Sequence, residues 1–490
     1  MKRYLFFLRH YNDIDNITPA IYFFLKASSS HRADIVLYDG RYDFRNNPNL
    51  CFLRDSFPQR FSYTWLGNYF DLELDTYLDK EKISQGSDFE ANLSHEKIFI
   101  PLAEEWEKLK VWIQQGDRAS QRLLFLSPLG PLRWARQWWR RFQRWWHIIR
   151  RQPTSPPPSV TKDSKPSLRI NDICCGQIDG DLVFSGVKLI LEENGFPSLV
   201  IFDINRSVPI AGLLAALRAG GVPKIIALPV SPLINYNVLR EEKFVNIYSQ
   251  YFQNQHDYSG IDKLAYVDDH FVNAFNHFFQ VLGQPSTLAG KTLTLGSLRY
   301  SPQWLETREK FVPQYQRQSN KTKVVFFPSH AKSNVNWKEF ERSLELISLF
   351  PDYDVVVKYH TRQNIHLGDT DHKNISYETD IESSALINWS DIVVFWSSSI
   401  AIEGYIKEKT MVCLSYIVGN KNLYVDYNAG YIAKCRDDFL FFLLNFPRYP
   451  KLELPGYNKS GVRNLLEKNI LRDGGNIVNN YLKFMKINEF

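Results

Sequence analysis

The chain has 490 residues, enough for two or three ordinary domains with sizeable cores, and its 44% apolar and 15% aromatic content excludes a disordered or fibrous polymer. A formal charge of +6 is mild for this length and gives no whole-chain polyelectrolyte character. Five cysteines (Cys51, Cys174, Cys175, Cys413, Cys435), without any C-x-x-C, fit neither a disulfide framework nor a thiolate metal site and point to a reducing cytoplasm.

At the N-terminus, "MKRYLFFLRHYNDIDN" meets Arg9, His10 and Asp13 too soon to serve as a signal peptide. Nor does any run of about 18 uncharged apolar residues occur, so no transmembrane helix is expected. Residues 4–8, "YLFFL", read as a buried strand, "NITPAIYFFLKAS" as a helix with Pro19 near its start, and "ADIVLYDG" (33–40) as a second strand. Strand, helix, strand is the opening of an α/β unit. Residues 94–127 show mixed 3.6-residue periodicity and are expected to be helical.

The next stretch, 131–159, has the most unusual composition of the chain: "PLRWARQWWRRFQRWWHIIRRQPTSPPPS". On a helical wheel Trp134, Trp138, Phe142, Trp145 and Ile149 share one face, while Arg133, Arg136, Arg140, Arg144 and Arg151 share the other; Trp139 and Trp146 sit in the same aromatic block. Three readings fit this pattern: a helix in the interface of an anionic bilayer, a helix packed on the protein with its arginines in solvent, and a nucleic-acid contact. The wheel favours the bilayer surface, because a tryptophan ring is apolar while its N–H can stay wet. Residues 152–168, Pro- and Ser-rich, read as a stiff linker without a core.

Beyond residue 170 the alternation returns. "SLVIFDINRS" is a strand ending in Asp203, "VPIAGLLAALRAGG" a helix closed by glycines, and "PKIIALPVSP" a strand; "KLAYVDDHFVNAFNHFFQVLG" and "KTLTLGSLRYSPQW" add further strands. From residue 322 a second series runs "TKVVFFPSH", "NWKEFERSLELISLFP", "YDVVVKYHT", "ESSALINWS", "DIVVFWSS", "SIAIEGYIKEK" and "TMVCLSY". Strands apolar on both faces imply parallel sheets covered by helices. The expected fold is therefore α/β, with two Rossmann-like doubly wound domains and an inserted Trp/Arg helix. Its boundaries are 1–310 for the first domain, 311–475 for the second and 476–490 for a C-terminal helix.

In such sheets ligands bind beyond the carboxyl ends of the strands. In the second domain those ends carry Ser329 and His330; Lys358, His360 and Arg362; and Ser397, Ser398 and Ser399 with Glu403 one helical turn on. Lys, Arg and N–H donors suit phosphate oxygens, and a carboxylate suits a sugar diol, so a nucleotide-sugar matches the inventory. Serines also cap helices without binding anything. Neither a Walker A loop nor G-x-G-x-x-G occurs, which argues against ATP hydrolysis and a dinucleotide cofactor. In the first domain the carboxylates at strand ends are Asp13, Asp15, Asp39, Asp203 and the Asp268–Asp269–His270 cluster, each also a common turn former. Asp203 is the first choice for a catalytic base and Asp13 the second.

The two halves, with "VVVKYHTR" followed by "DIVVFWSSSIAIEG" and with "LTLGSLRYSPQW" before them, resemble the GT-B glycosyltransferases. More narrowly they are similar to bacterial surface-polysaccharide transferases of the polysialyltransferase-like, Kdo-transferase-like and CDP-glycerol-transferase-like kinds. The resemblance matches His360 to the motif histidine and Ser397 to Ser399 to the hydroxyl motif; Thr361 stands where the family has proline. It implies a metal-independent enzyme without a cofactor and a nucleotide-sugar donor held by the second domain. Arg299 either neutralises the charge of the leaving phosphate or forms a salt bridge at the domain hinge. The acceptor would be a lipid-linked or surface glycan at the inner face of the membrane, with no nucleic-acid partner. Two alternatives stay open: a non-hydrolysing nucleotide-sugar 2-epimerase, which also has a glutamate after a serine turn, and an inactive GT-B binding subunit.

Overall fold

The computed structural model describes residues 2–9, 11–38, 43–70, 180–203, 210–229, 260–269, 290–328, 335–359, 372–418, 422–449, 453–472 and 476–485, with isolated positions between 231 and 280. The Trp/Arg stretch 131–151, the Pro-rich 152–168 and the helix expected over 94–127 lie outside them.

The first half opens with β1 (Lys2–Leu8), α1 (Tyr11–Ala27), β2 (His31–Leu37), α2 (Pro48–Ser56) and β3 (Phe61–Trp65). Then come α3 (Gly180–Asn194), β4 (Leu199–Asp203), α4 (Ala211–Ala219), β5 (Ile225–Leu228), β6 (Lys263–Tyr266) and β7 (Thr292–Thr294). A 3-10 turn, Leu298–Tyr300, and α5 (Pro302–Glu309) lead out of it. The helix expected over 16–28 in fact begins at Tyr11, so Pro19 lies inside it. Burial of Ile14, Ile17, Ile21, Phe24 and Leu25 along one face outweighs the cost of an interior proline, about 3 kcal/mol. For α2 the start is set by Pro48 and by Asn47, whose side chain accepts from the N–H groups of Asn49 and Leu50.

The second half contains β8 (Thr322–Phe327), α6 (Trp337–Ser348), β9 (Tyr353–Lys358), β10 (Ile375–Glu378), α7 (Ser383–Trp389), β11 (Ile392–Phe395) and α8 (Ala401–Ile406). It continues with β12 (Thr410–Leu414), α9 (Leu423–Asp426), β13 (Tyr431–Ala433), α10 (Arg436–Asn445), α11 (Lys459–Leu465) and α12 (Ile477–Met485). The last of these, α12, packs back onto α1 and the 298–300 turn of the first half.

Both sheets are wholly parallel. Their strand orders are β3-β2-β1-β4-β5-β6-β7 and β10-β9-β8-β11-β12-β13. Each contains the 3-2-1-4-5-6 order of a doubly wound dinucleotide-type fold, so the two Rossmann-like halves expected from the sequence are present. Central strands are buried on both faces: "IVVF" of β11 and "TMVCL" of β12 show no accessible position. The strand order reverses between β1 and β4 in the first sheet and between β8 and β11 in the second. Ligand crevices of this fold open above those two points.

Candidate active site

Above the second reversal, β11 ends at Phe395 and the chain turns through Trp396, Ser397, Ser398 and Ser399 into α8. Three side chains hold the carbonyls of this turn. Asn422 Nδ2 donates to the carbonyl of Trp396 at 3.1 Å, the Tyr424 hydroxyl to that of Ser398 at 2.8 Å, and the Tyr300 hydroxyl to that of Ser399 at 2.9 Å. In a trans peptide the N–H points opposite to the preceding carbonyl, so fixing these carbonyls aims the N–H groups of Ser399 and Ile400 the other way. Among the described residues, no partner is assigned to the N–H groups of Ser398, Ser399 and Ile400 or to the hydroxyls of Ser398 and Ser399. The result is a preset cluster of donors at the place where the fold binds ligands.

Glu403, expected to face a ribose, has protein partners instead. Its carboxylate is 1% exposed; Oε2 accepts from Ser384 Oγ at 2.8 Å and from Arg308 Nη1 at 3.4 Å. Lys407 Nζ lies 3.2 Å from Oε1, an ion pair outside hydrogen-bond geometry, and also 2.9 Å from Glu309. Arg308 in addition grips both oxygens of Glu382, at 2.9 and 2.8 Å. Burial opposes the Arg308 charge, but Glu382 and Glu403 outweigh it and raise its pKa. The glutamate thus anchors α8 to α5 and α7 rather than presenting its carboxylate to a ligand.

Lys358 ends β9 and faces Glu378 of β10 in register. It is buried, and its ammonium donates to the carbonyl of Thr379. Burial lowers its pKa, while Asp380, Glu382 and Glu378 work in the opposite direction. Ser329, His360 and Arg362 lie outside the described residues, as do Asp39 and His270.

In the first half, Asp203 ends β4 at the reversal point and is 2% exposed; the Tyr38 hydroxyl donates to its Oδ1 at 2.8 Å. Asp13 is buried in the first turn of α1 rather than on a strand end. Two residues on, Asp15 accepts from Asn49 Nδ2 at 2.7 Å and pairs with Arg299 at 3.7 Å. Burial opposes the Arg299 charge too, and Tyr300 and Asp15 more than compensate. Asp268 is buried, and Asp269 binds Thr294 and Arg472. No group of three or more His, Cys, Asp or Glu among the described residues is placed to hold a metal ion.

Of the residues predicted from sequence, Ser399, Glu403 and Arg299 are therefore joined through the 298–309 segment, Ser398 is held by Tyr424, Asp13 lies two residues before Asp15 on α1, and Asp203 and Lys358 sit on their own strand ends. Tyr300, Arg308, Asn422, Tyr424 and Tyr38 also shape these sites, without a motif in the sequence that marks them for it. Only Tyr300 had a local signal, as part of "GSLRY".

No protein-family model matches the chain, and neither does any curated protein. Among solved structures it is similar to a UDP co-structure of MnaA from S. aureus, at 10% identity and a TM-score of 0.46, covering 99% of this chain and 97% of that one. It is also similar to the UDP-GlcNAc 2-epimerase of Neisseria meningitidis bound to UDP-GlcNAc, at 13% identity and a TM-score of 0.47, covering 99% of both chains. A third is the glycosyltransferase SnogD of Streptomyces nogalater, at 10% identity and a TM-score of 0.42, covering 95% of this chain and 94% of that one. Similarity of this size leaves the activity to be argued from the chain's own residues.

Proposed function

We propose that the chain is a GT-B glycosyltransferase that moves a sugar from a nucleotide-activated donor to a lipid-linked or surface-glycan acceptor. The observation that carries this reading is the open donor cluster of Ser398, Ser399 and Ile400 above the β8/β11 reversal. Phosphate oxygens take N–H and hydroxyl donors of this kind; in this reading Ser329, His360 and Arg362, which lie outside the described residues, would add further polar and positive groups. Ser397 completes the turn, and Glu403 acts through Arg308 and Lys407 as a positioning group.

In the transfer step the bond between the anomeric carbon and the donor phosphate oxygen breaks, its electron pair leaving on the phosphate. The acceptor oxygen forms the new bond and gives its proton to a carboxylate, Asp203 or Asp13 in this reading. Glu403 also separates this reading from the epimerase one: a glutamate locked by Arg308, Lys407 and Ser384 is poorly placed to exchange protons with a sugar. The Trp/Arg stretch around Trp134, Trp138, Trp139, Trp145, Trp146, Arg136, Arg140 and Arg144 would hold the enzyme against the anionic inner face of the membrane, where such an acceptor resides.

The test is isothermal titration of UDP, GDP, CDP and CMP, and of sugars carried on them, into the full chain and into the Ser398→Ala/Ser399→Ala variant, with donor hydrolysis followed in parallel. Losing two hydroxyl donors should weaken binding of the accepted nucleotide by about tenfold or more. Equal affinity in both proteins would remove the serine turn from the site, and no binding by the wild-type chain would reject the nucleotide-sugar reading altogether.

A further inference from the structure

Arg299 and Tyr300 are neighbours whose side chains part towards opposite halves of the molecule. Tyr300, fully buried, donates its hydroxyl to the Ser399 carbonyl of the second half. Arg299, whose guanidinium lies 5.5 Å from the centre of the Tyr300 ring, pairs with Asp15 in α1 of the first half. Around them the backbone is held firmly: Ser297 N–H donates to the Ile470 carbonyl at 2.7 Å, and the Tyr481 hydroxyl to the Gly296 carbonyl at 2.9 Å. Further along, α5 packs Trp304 against Tyr22 and Phe52 of the first half while its Arg308 binds Glu382 and Glu403 of the second. A displacement of the serine turn must therefore be accommodated by Tyr300, by Arg299 beside it, and by the first turns of α1, which carry both Asp13 and Asp15.

We propose that the Arg299–Tyr300 pair is a positioning device that couples the serine turn of the second half to the start of α1 in the first, so that an anion seated on the turn and the carboxylates of α1 set each other's geometry. This rests on reading the turn as the nucleotide site. Neither residue has to touch substrate: Tyr300 acts through the Ser399 carbonyl and Arg299 through Asp15. Because coupling between two sites is reciprocal, a change at Asp15 must be felt at the turn.

The experiment uses the full chain with Tyr300→Phe and Asp15→Asn. Phenylalanine keeps the buried ring and deletes only the hydroxyl, so a packing role for Tyr300 is preserved while the hydrogen bond is lost. Amide hydrogen exchange reads the turn directly, since the N–H groups of Ala401 and Ile402 donate to the carbonyls of Ser398 and Ser399. Tyr300→Phe should speed their exchange, and that of the first turns of α1, by about tenfold, the loss of one buried hydrogen bond. With UDP, GDP, CDP and CMP as probes, Asp15→Asn should weaken nucleotide binding by about fivefold, although Asp15 belongs to the other half. The double variant should lose less than the product of the single losses. Unchanged exchange at Ala401 and Ile402 in Tyr300→Phe, or unchanged affinity in Asp15→Asn, overturns the coupling. Should the wild-type chain bind none of the four nucleotides, the nucleotide reading fails; faster exchange at both the turn and α1 in Tyr300→Phe still supports the coupling, and its absence from α1 rejects it.

Discussion

Tyr38 and Asp203 meet where the first sheet reverses: one residue past the end of β2, the phenol reaches across to the last residue of β4 and donates to Oδ1 at 2.8 Å. The carboxylate has almost no exposed surface, so the donors that remain to it are those the fold supplies. A hydrogen bond to a buried charged group contributes about 1.5–3 kcal/mol. Tyr38→Phe should lower the unfolding free energy by about that amount, seen as a lower urea midpoint at constant slope. It should also slow turnover if Asp203 accepts the acceptor proton. An unchanged midpoint would mean that Asp203 does not depend on the phenol.

The Arg308 guanidinium is the hub of the buried charges between α5, α7 and α8. Arg308→Met should be among the most damaging single changes, at about 3–5 kcal/mol, because Glu403 and Glu382 would both lose the buried guanidinium that binds them. Adding Glu403→Gln in the same chain should recover part of the loss, since the two residues belong to one network. Thermal unfolding of the two single variants and the double one tests this. A double variant whose loss equals the sum of the singles would show that the residues do not interact energetically.

Burial raises the pKa of Tyr300, Tyr353, Tyr405, Tyr416, Tyr424, Tyr457 and Tyr481, and Tyr431 is pushed up to about 12. In each case the folded chain holds its proton at a pH where the unfolded chain, with phenols near 10, has lost it. These groups therefore contribute stability that is complete below about pH 10 and is lost as the pH rises through the folded values, by up to about 1.4 kcal/mol per pH unit for each group. Lys358 has the opposite sign: its lowered pKa makes the charged form costly in the folded state, and that cost disappears as the pH rises towards 10.5. Lys224 is lowered by burial as well, and the two lysines are outweighed by many tyrosines. Denaturation curves at about pH 9 and pH 11 should show a clear loss of stability, and equal midpoints at the two values would contradict it.

The parts of the fold that were legible in the sequence are those whose burial leaves a local trace. β1, β8, β9, β11 and β12 are short apolar runs, and the serine turn follows one of them directly. Two strands gave no such trace: "FSYTW" of β3 and "ISYE" of β10 lie at sheet edges, pair on one side only and alternate polar with apolar residues. The sequence hides the true start of α1 because Pro19 looks like a first-turn proline, while the packing that tolerates it inside the helix is tertiary. The donor turn could be named, but not what shapes it: Tyr300 is 99 residues from Ser399, and Arg308 is 95 from Glu403. Partners at such distances leave no pattern in the intervening sequence. Glu403 suggests a ligand contact for the same reason, since a glutamate in the first turn of a helix looks alike whether its partner is a ribose or a distant arginine.

The remaining prediction concerns residues 131–151, where seven arginines and five tryptophans share one short stretch. If the stretch lies in a bilayer interface, its arginines meet anionic headgroups at about 1 kcal/mol each near the surface. The tryptophans then bury their rings at headgroup depth, where the indole N–H stays hydrated. The attraction between the charges is screened within about 10 Å at 0.1 M salt, whereas the contribution of the rings is not. The full chain should therefore sediment with phosphatidylserine-rich vesicles at low salt, less at high salt, and little with purely zwitterionic vesicles. Deleting 131–159 should abolish sedimentation and leave nucleotide binding intact, because the serine turn and the residues that hold it all lie beyond residue 295. Sedimentation of the deleted chain at the wild-type level would place the membrane contact elsewhere. Failure of the full chain to bind anionic vesicles at low salt would leave the arginines either to solvent or to another polyanion, which competition with heparin or nucleic acid would separate.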